Sequence, residues 1–264
     1  MPNWAAFAGV STGVTLILLA LTRATSASAG VPTRAELEWL ESLPDGSDHL
    51  APDHETAIST EPELSATALF ANVLVSHGLF LCLVATAAVL TAIPASAFGL
   101  TVSVESVAVG LGLGVALAGV NTTAGLVAKR YGYAPSEQLR RILTPQTRRG
   151  WLLLLGGTLP LVAGFEEFLF RGVLVGAFAA GFDVTPWALA VVSSVAFALA
   201  HETQGAVGVV VTGLLGLLLA VGYLLTGSLT AVVIAHYLVN AVELVAFEGL
   251  GVGGEQEGRT TPHR

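Results

Sequence analysis

Three apolar stretches in the second half of the chain contain charged, imidazole and amide side chains. They read Phe165-Glu-Glu-Phe-Leu-Phe-Arg-Gly172, Ala196-Phe-Ala-Leu-Ala-His-Glu-Thr203 and Ala235-His-Tyr-Leu-Val-Asn-Ala-Val-Glu243. An unpaired carboxylate can take a proton from water, and an imidazole can hold that water in place. A second imidazole and a carboxamide can donate to the oxyanion that forms when the water attacks a peptide carbonyl. These residue types together indicate hydrolytic chemistry.

The spacing of these residues predicts which of them are paired and which are free. Glu167 and Arg171 are four residues apart, so they share a helix face and are expected to form an ion pair. Glu166 is rotated by about 100° from Glu167 and therefore points elsewhere. His236 and Asn240 also share a face. A charged side chain at mid-bilayer costs at least about 2.5 to 3.5 kcal/mol, which favours a task for the unpaired carboxylate.

The expected catalytic residues are Glu166, His201, His236 and Asn240. Helix lengths place Glu166, His236 and Asn240 near the centre of the membrane and His201 somewhat closer to the cytoplasm. The residues alone leave a second chemistry open, because His201, His236 and Glu166 could bind zinc with a free fourth position. The His-Glu-x-x-His pattern of zinc proteases is absent. The sequence therefore predicts either no required cofactor or zinc.

Two other functional classes also fit intramembrane ionisable residues. A proton- or ion-coupled transporter would use Glu, His and Asn as a relay or cation site, and it predicts inverted repeats or paired broken helices. No such repeat is recognisable in the sequence. A non-catalytic membrane scaffold or immunity protein is the third hypothesis, and it would fit a chain with fewer of these polar residues.

Composition identifies the elements that must position these residues. The chain has 264 residues, of which 53% are hydrophobic and 11% charged, and these values exclude an ordinary soluble domain. A span needs about 20 apolar residues, so six or seven spans fit. The net charge of -8 argues against nucleic-acid binding. The single Cys82 excludes an internal disulfide and a cysteine-based zinc site.

The apolar runs predict an all-α, polytopic transmembrane bundle of about seven spans. The basic loop at 129–150 is expected in the cytoplasm by the positive-inside rule, which puts the N-terminus outside and the C-terminus in the cytoplasm. Residues 1–22 form the first predicted span, 23–63 an acidic cytoplasmic linker, 64–128 two spans, 151–248 a four-helix core and 249–264 a disordered tail.

Several further residues in the spans have a structural expectation only. His77 and Asn121 are single polar residues without a partnering pattern, so packing is their expected role. Glu243 lies close enough to a span end to reach the interface. Four glycines in one run are expected to permit close helix contact. They are Gly110, Gly112, Gly114 and Gly119.

The three polar patterns resemble the motifs of a known family. Glu-Glu-x-x-x-Arg (166, 167, 171), Phe-x-x-x-His (197, 201) and His-x-x-x-Asn (236, 240) occur in this order on successive apolar helices. They are similar to the three motifs of the CPBP family of intramembrane proteases. This family contains the CAAX prenyl proteases of the Rce type together with bacteriocin-processing and immunity proteins. The resemblance covers about Trp151 to Val245.

The resemblance implies a role for each motif residue. Glu166 and His201 would activate the water, and His236 with Asn240 would form the oxyanion site. Supporting roles fall to Glu167, Arg171 and Phe197. The family is labelled as metalloproteases, while a metal-free glutamate mechanism is also argued for it. The implied partners are the lipid bilayer and a membrane-anchored peptide or protein substrate, prenylated and CAAX-like or leader-bearing.

Overall fold

The computed structural model describes residues 1–28, 66–131 and 144–250, and within these ranges the chain is helical and contains no strand. The all-α expectation is therefore confirmed. The main helices are α1 (Trp4–Ser28), α2 (Ala66–Leu90), α3 (Val104–Arg130), α4 (Arg148–Phe182), α5 (Pro186–Leu199), α6 (Gly205–Thr226) and α7 (Leu229–Leu244, continued by a π-helical turn to Gly249). Most of the predicted acidic linker, most of the basic loop and nearly all of the predicted tail lie outside the described residues.

Six of these helices are long and apolar enough to cross a bilayer, and α5 is shorter. The prediction of about seven spans thus corresponds to six helices of spanning length and one shorter apolar helix, α5, which has 14 residues. Pro186 occupies the first turn of α5, and the helix ends at Leu199. A separate short 3₁₀ helix, Glu202–Gln204, follows. The residue His201 thus lies in a turn between the two helices.

Contacts between helix ends show how the helices alternate in direction. The backbone N–H of Asn3 donates to the carbonyl of Thr91 at 2.8 Å, so the start of α1 lies beside the end of α2. At the opposite end of the bundle, Arg23 Nε lies 3.3 Å from Glu202 Oε2, which brings the end of α1 to the turn after α5. This alternation agrees with the predicted parity of the spans. The orientation relative to the cytoplasm stays a prediction from the basic loop.

The connection between α2 and α3 includes a short 3₁₀ helix, Ala95–Phe98, within the range 64–128 that was predicted to form two spans. The chain makes a left-handed turn at Gly99, where φ is 67°, and α3 begins only at Val104. The hydroxyl of Ser103 caps this start by accepting from the backbone N–H of Ser106 at 3.0 Å. The glycine turn and the Ser103 cap therefore fix where α3 begins, although apolar residues also precede this point.

Helix α3 packs closely against α7 through two glycines. A Cβ atom at Gly110 would lie 2.7 Å from a carbonyl oxygen of α7, and one at Gly114 would lie 3.0 Å from an α7 Cα atom. Gly112 and Gly119 would meet nothing within 4 Å, so the expectation of close contact is wrong for them. The four-residue spacing explains the difference, because only Gly110 and Gly114 share the face toward α7. Since α7 carries the His-x-x-x-Asn motif, this contact sets its position.

Helix α4 departs from the regular 3.6-residue period in two places. It contains the π-helical segments Leu154–Thr158 and Phe168–Ala177, and the second begins directly after Glu167. The hydroxyl of Ser193 on α5 donates to the Phe170 carbonyl within this segment at 2.5 Å. Such segments are frequent at functional sites because they redirect side chains within a helix. The second π-helical segment thus begins directly after the two glutamates, whose side chains have different partners.

Candidate active site

Glu167 and Arg171 form a buried ion pair that supports the other residues of the site. Arg171 Nη1 lies 2.8 Å from Glu167 Oε1, and both side chains are 0% exposed, which confirms the predicted pairing. Arg171 Nη2 donates to the carbonyl of Gly216 on α6 at 2.7 Å. A Cβ atom at Gly216 would lie 3.3 Å from Nη2 and 2.9 Å from the Phe197 ring. Gly216 therefore leaves the space that this guanidinium requires, a role that the sequence does not indicate.

His236 lies between the two glutamates of α4. Its Nδ1 is 2.7 Å from Glu167 Oε1 and its Nε2 is 3.7 Å from Glu166 Oε2. Because a carboxylate oxygen accepts, Nδ1 carries the hydrogen of the short bond. Glu167 thus binds His236 as well as Arg171, a contact that the spacing along α4 does not reveal. The rotation between adjacent residues lets one imidazole on α7 meet both carboxylates.

Glu166 is the carboxylate that remains without an ion-paired arginine. Its Oε2 atom is buried and has no hydrogen-bond partner among the described residues. The Glu166 side chain as a whole is 13% exposed, whereas that of Glu167 is fully buried. The imidazoles of His77, His201 and His236 lie within electrostatic range of it. The structure therefore brings Glu166, His201 and His236 together and adds a third histidine.

This third histidine, His77 of α2, corrects the sequence interpretation, which assigned it to packing. Its Nε2 lies 3.8 Å from Glu166 Oε1, and its ring meets Phe165 edge-on at 5.3 Å between centroids. Its Nδ1 lies 3.1 Å from the Val73 carbonyl oxygen, one turn earlier. No pattern within α2 could have identified this residue, because its partners come from another helix.

Phe197 joins the supporting pair to the histidines. Its ring is buried, with the Arg171 guanidinium carbon 4.6 Å from its centroid. The rings of His201 and His236 lie 4.6 Å and 5.9 Å away. The carbonyl of Phe197 also accepts from His201 Nδ1 at 2.8 Å. The Phe-x-x-x-His spacing therefore fixes His201 twice, through its ring and through the helix backbone.

Asn240 follows His236 by one turn of α7 and is half-buried. Within the described part of the chain, no hydrogen bond to its carboxamide is found, so the amide is not committed to holding the fold. Glu243, three residues further along α7, has a structural contact, because Asn121 Nδ2 of α3 donates to Glu243 Oε2 at 2.9 Å. The expectation of a packing role fits Asn121, whose amide links α3 to α7.

The zinc alternative can be compared with the geometry of its ligands. Among the described residues, no group of three or more His, Cys, Asp or Glu side chains is arranged to hold a metal ion. Of the ligands that the sequence suggested, His236 donates from Nδ1 to Glu167, a contact that leaves Nε2 free and that metal-binding histidines commonly make. The zinc alternative therefore stays a prediction.

An apolar cavity of about 550 Å³ adjoins the site. It lies between α2 and α7, with α4 at its base, and extends from Leu81 and Gly164 toward Ile93 and Leu100. Gly164 precedes Glu166 by only two residues, so the inner end of the cavity is at the level of the carboxylate. The lining is almost entirely hydrocarbon, with Thr230 as the polar exception. The apolar cavity thus lies between the same helices that carry His77, the two glutamates and His236.

Comparison with known proteins gives one match. Residues 148–242 match the family model described as type II CAAX prenyl endopeptidase Rce1-like. No curated protein and no solved structure shows significant similarity to the chain. The matched segment runs from the start of α4 into α7 and contains all three motifs, whereas His77 lies outside it. Together with the apolar helices, the match identifies a multi-pass membrane protein. Residues 148–242 are therefore similar to the Rce1-like type II CAAX prenyl endopeptidases, which is consistent with a CPBP family intramembrane protease.

Proposed function

We propose that the protein is an intramembrane endopeptidase that cleaves lipid-bearing, membrane-associated peptides with a water activated by Glu166. One observation carries this proposal: the Glu166 carboxylate lies between imidazoles of α2 and α7, 3.8 Å and 3.7 Å away, whereas the Glu167 carboxylate is paired with Arg171. A carboxylate that is not tied up in an ion pair is suited to take a proton. The adjacent Glu167 is committed to Arg171, so the two glutamates have different tasks.

The proposed reaction begins when the water oxygen attacks the carbonyl carbon of the scissile peptide bond. Glu166 takes one proton from the water as the new C–O bond forms, and the carbonyl oxygen becomes an oxyanion. When the C–N bond breaks, the carboxyl group of Glu166 returns this proton to the leaving nitrogen. The Nδ1 of His201 is bound to the Phe197 carbonyl, which fixes this ring and leaves its Nε2 facing away from the helix backbone.

The oxyanion would be held by groups on α7. The free carboxamide of Asn240 can donate one hydrogen bond. His236 already donates from Nδ1 to Glu167, so a second donation from Nε2 requires the imidazolium form of this ring. Glu167, Arg171 and Phe197 support the reaction by holding the His236 ring, without contacting the substrate themselves.

The apolar cavity supports a substrate with a hydrocarbon chain. Its volume of about 550 Å³ lies within the range of ligand pockets, about 300 to 1,000 Å³. A prenyl group near the scissile bond would place its chain along α2 and α7 while the peptide reached Glu166. Burial of the chain would contribute about 25 cal/mol per Å² of apolar surface before the cost of ordering it.

The test compares cleavage of a quenched-fluorescent peptide with and without a prenylated cysteine by the full chain in detergent. Wild type should cleave the prenylated peptide faster, and Glu166→Gln should lower kcat by about 100-fold or more. Glu105→Gln, an exposed acid in the first turn of α3, is the matched control and should retain activity. A parallel reaction with a metal chelator tests the zinc alternative. Full activity of Glu166→Gln, or no cleavage by folded wild type, would overturn the proposal.

A further inference from the structure

The tautomer of His77 follows from its backbone contact. Its Nδ1 lies 3.1 Å from the Val73 carbonyl oxygen, which can only accept a hydrogen bond. Nδ1 therefore carries the hydrogen, and in the neutral ring Nε2 has a lone pair. The Ser76 hydroxyl lies 3.3 Å from Nδ1 and 3.2 Å from the Val73 carbonyl. Because that hydroxyl can donate to the same carbonyl, it does not need Nδ1 as an acceptor.

Nε2 of His77 then faces another acceptor. It lies 3.8 Å from Glu166 Oε1, beyond the range of about 2.7 to 3.2 Å for a direct hydrogen bond. Two acceptors at this separation can both be satisfied by one molecule that offers two hydrogens. A water about 2.8 Å from each atom fits this gap. The water of the proposed hydrolysis is such a molecule.

Exposure distinguishes the two sides of the Glu166 carboxylate. The His77 side chain is 22% exposed, whereas that of His236, on the other side, is 4% exposed. A water that is replaced after every turnover must arrive from the more exposed side of Glu166. Of its two imidazole neighbours, His77 marks that side.

We infer that His77 is a further catalytic residue, which accepts the second hydrogen of the attacking water while Glu166 accepts the first. This inference rests on the proposed function, since it concerns the same water. Held by both hydrogens, the water directs an oxygen lone pair toward the peptide carbonyl. Helix α2, outside the matched segment, thus supplies part of the active site.

Packing alone does not account for an imidazole at this position. Phe80, on the same helix, stacks on the same Phe165 ring with centroids 6.4 Å apart and an interplanar angle of 20°. An apolar ring from α2 therefore suffices to pack against Phe165. The imidazole of His77 adds a polar atom directed at Glu166, and that atom has no role in packing.

The experiment compares His77→Phe and His77→Gln with Phe80→Leu as the matched packing control. In the full chain, His77→Phe should lower kcat for the peptide by about 10- to 100-fold with little change in KM, because it removes the acceptor but keeps an aromatic ring. His77→Gln should recover part of this loss, since its amide oxygen can accept a hydrogen where Nε2 did. Phe80→Leu should keep the kcat of wild type. A purely structural role predicts the reverse order for the two His77 variants.

A second measurement does not depend on activity. In protein with ¹⁵N-labelled histidine, with the signals assigned through His77→Gln, His77 should show a protonated Nδ1 and an unprotonated Nε2. A hydrogen on Nε2, or wild-type kcat in His77→Phe, would overturn the inference. Loss of activity in Glu166→Gln together with full activity in His77→Phe would reject the role of His77 alone. Absence of wild-type cleavage would reject the proposed function and, with it, this role.

Discussion

The buried pair of Glu167 and Arg171 gives a sharp test of how the site is held. In Arg171→Met, the Glu167 carboxylate stays buried without its 2.8 Å partner, and the Gly216 carbonyl loses its 2.7 Å donor. Leaving one member of a buried ion pair uncompensated costs about 3 to 5 kcal/mol. Since folded proteins are stable by only about 5 to 15 kcal/mol, the single variant should unfold at a much lower denaturant concentration.

The double variant Glu167→Leu with Arg171→Met separates stability from activity. It removes both charges, and an apolar replacement of a whole buried pair is often neutral or stabilising. We expect it to regain about 2 kcal/mol or more of the loss in Arg171→Met. Its peptidase activity should stay low, because His236 Nδ1 then lacks the acceptor at 2.7 Å that orients its ring.

The assay is equilibrium unfolding of the full chain in mixed detergent micelles, with peptide cleavage measured on the same preparations. The order of stability should be wild type, then the double variant, then the single variant. A double variant no more stable than Arg171→Met would refute the account of an uncompensated charge. A double variant with wild-type kcat would refute the role of Glu167 in positioning His236.

Three further predictions concern packing, substrate and transition state. Gly114→Val should lower the unfolding midpoint in detergent, because its Cβ would lie 3.0 Å from a Cα atom of α7. Gly112→Val, whose Cβ would meet nothing within 4 Å, should leave the midpoint unchanged. Equal effects of the two variants would contradict the packing of α3 on α7. Ala85→Phe, which narrows the cavity, should raise KM for the prenylated peptide but not for its unmodified form. Leu83→Phe on the exposed side of α2 is the control and should leave both KM values unchanged. An unchanged KM in Ala85→Phe would argue against the cavity as the binding site of the prenyl group. Asn240→Ala should lower kcat by about 100-fold with little change in KM, and a pure KM effect would remove it from the oxyanion site.

Local spacing explains what could be predicted from the sequence. Glu167 and Arg171, and likewise Phe197 and His201, are four residues apart, so their contacts follow from a single helical turn. The all-helical class follows from composition alone, because lipid offers no partner for free backbone groups. Predictions of this kind need no knowledge of how the helices are arranged.

Contacts between helices could not be predicted in this way. His77 is a single polar residue on α2, and only the packing of α2 on α4 brings it to Glu166. Gly216 is one of many glycines, and only the position of Arg171 makes its missing side chain matter.

A chain of contacts explains why two adjacent glutamates can act differently. The Gly216 carbonyl holds Arg171, Arg171 holds Glu167, and Glu167 holds His236. Each of these contacts is 2.8 Å or shorter, and each fixes the next group. Glu166 stands at the end of the chain, 3.7 Å from His236, and keeps a carboxylate oxygen without a partner among the described residues. A glutamate held by Arg171 and His236 beside one without an arginine partner suits general-base catalysis, because the second can exchange a proton while the first keeps its neighbours in place.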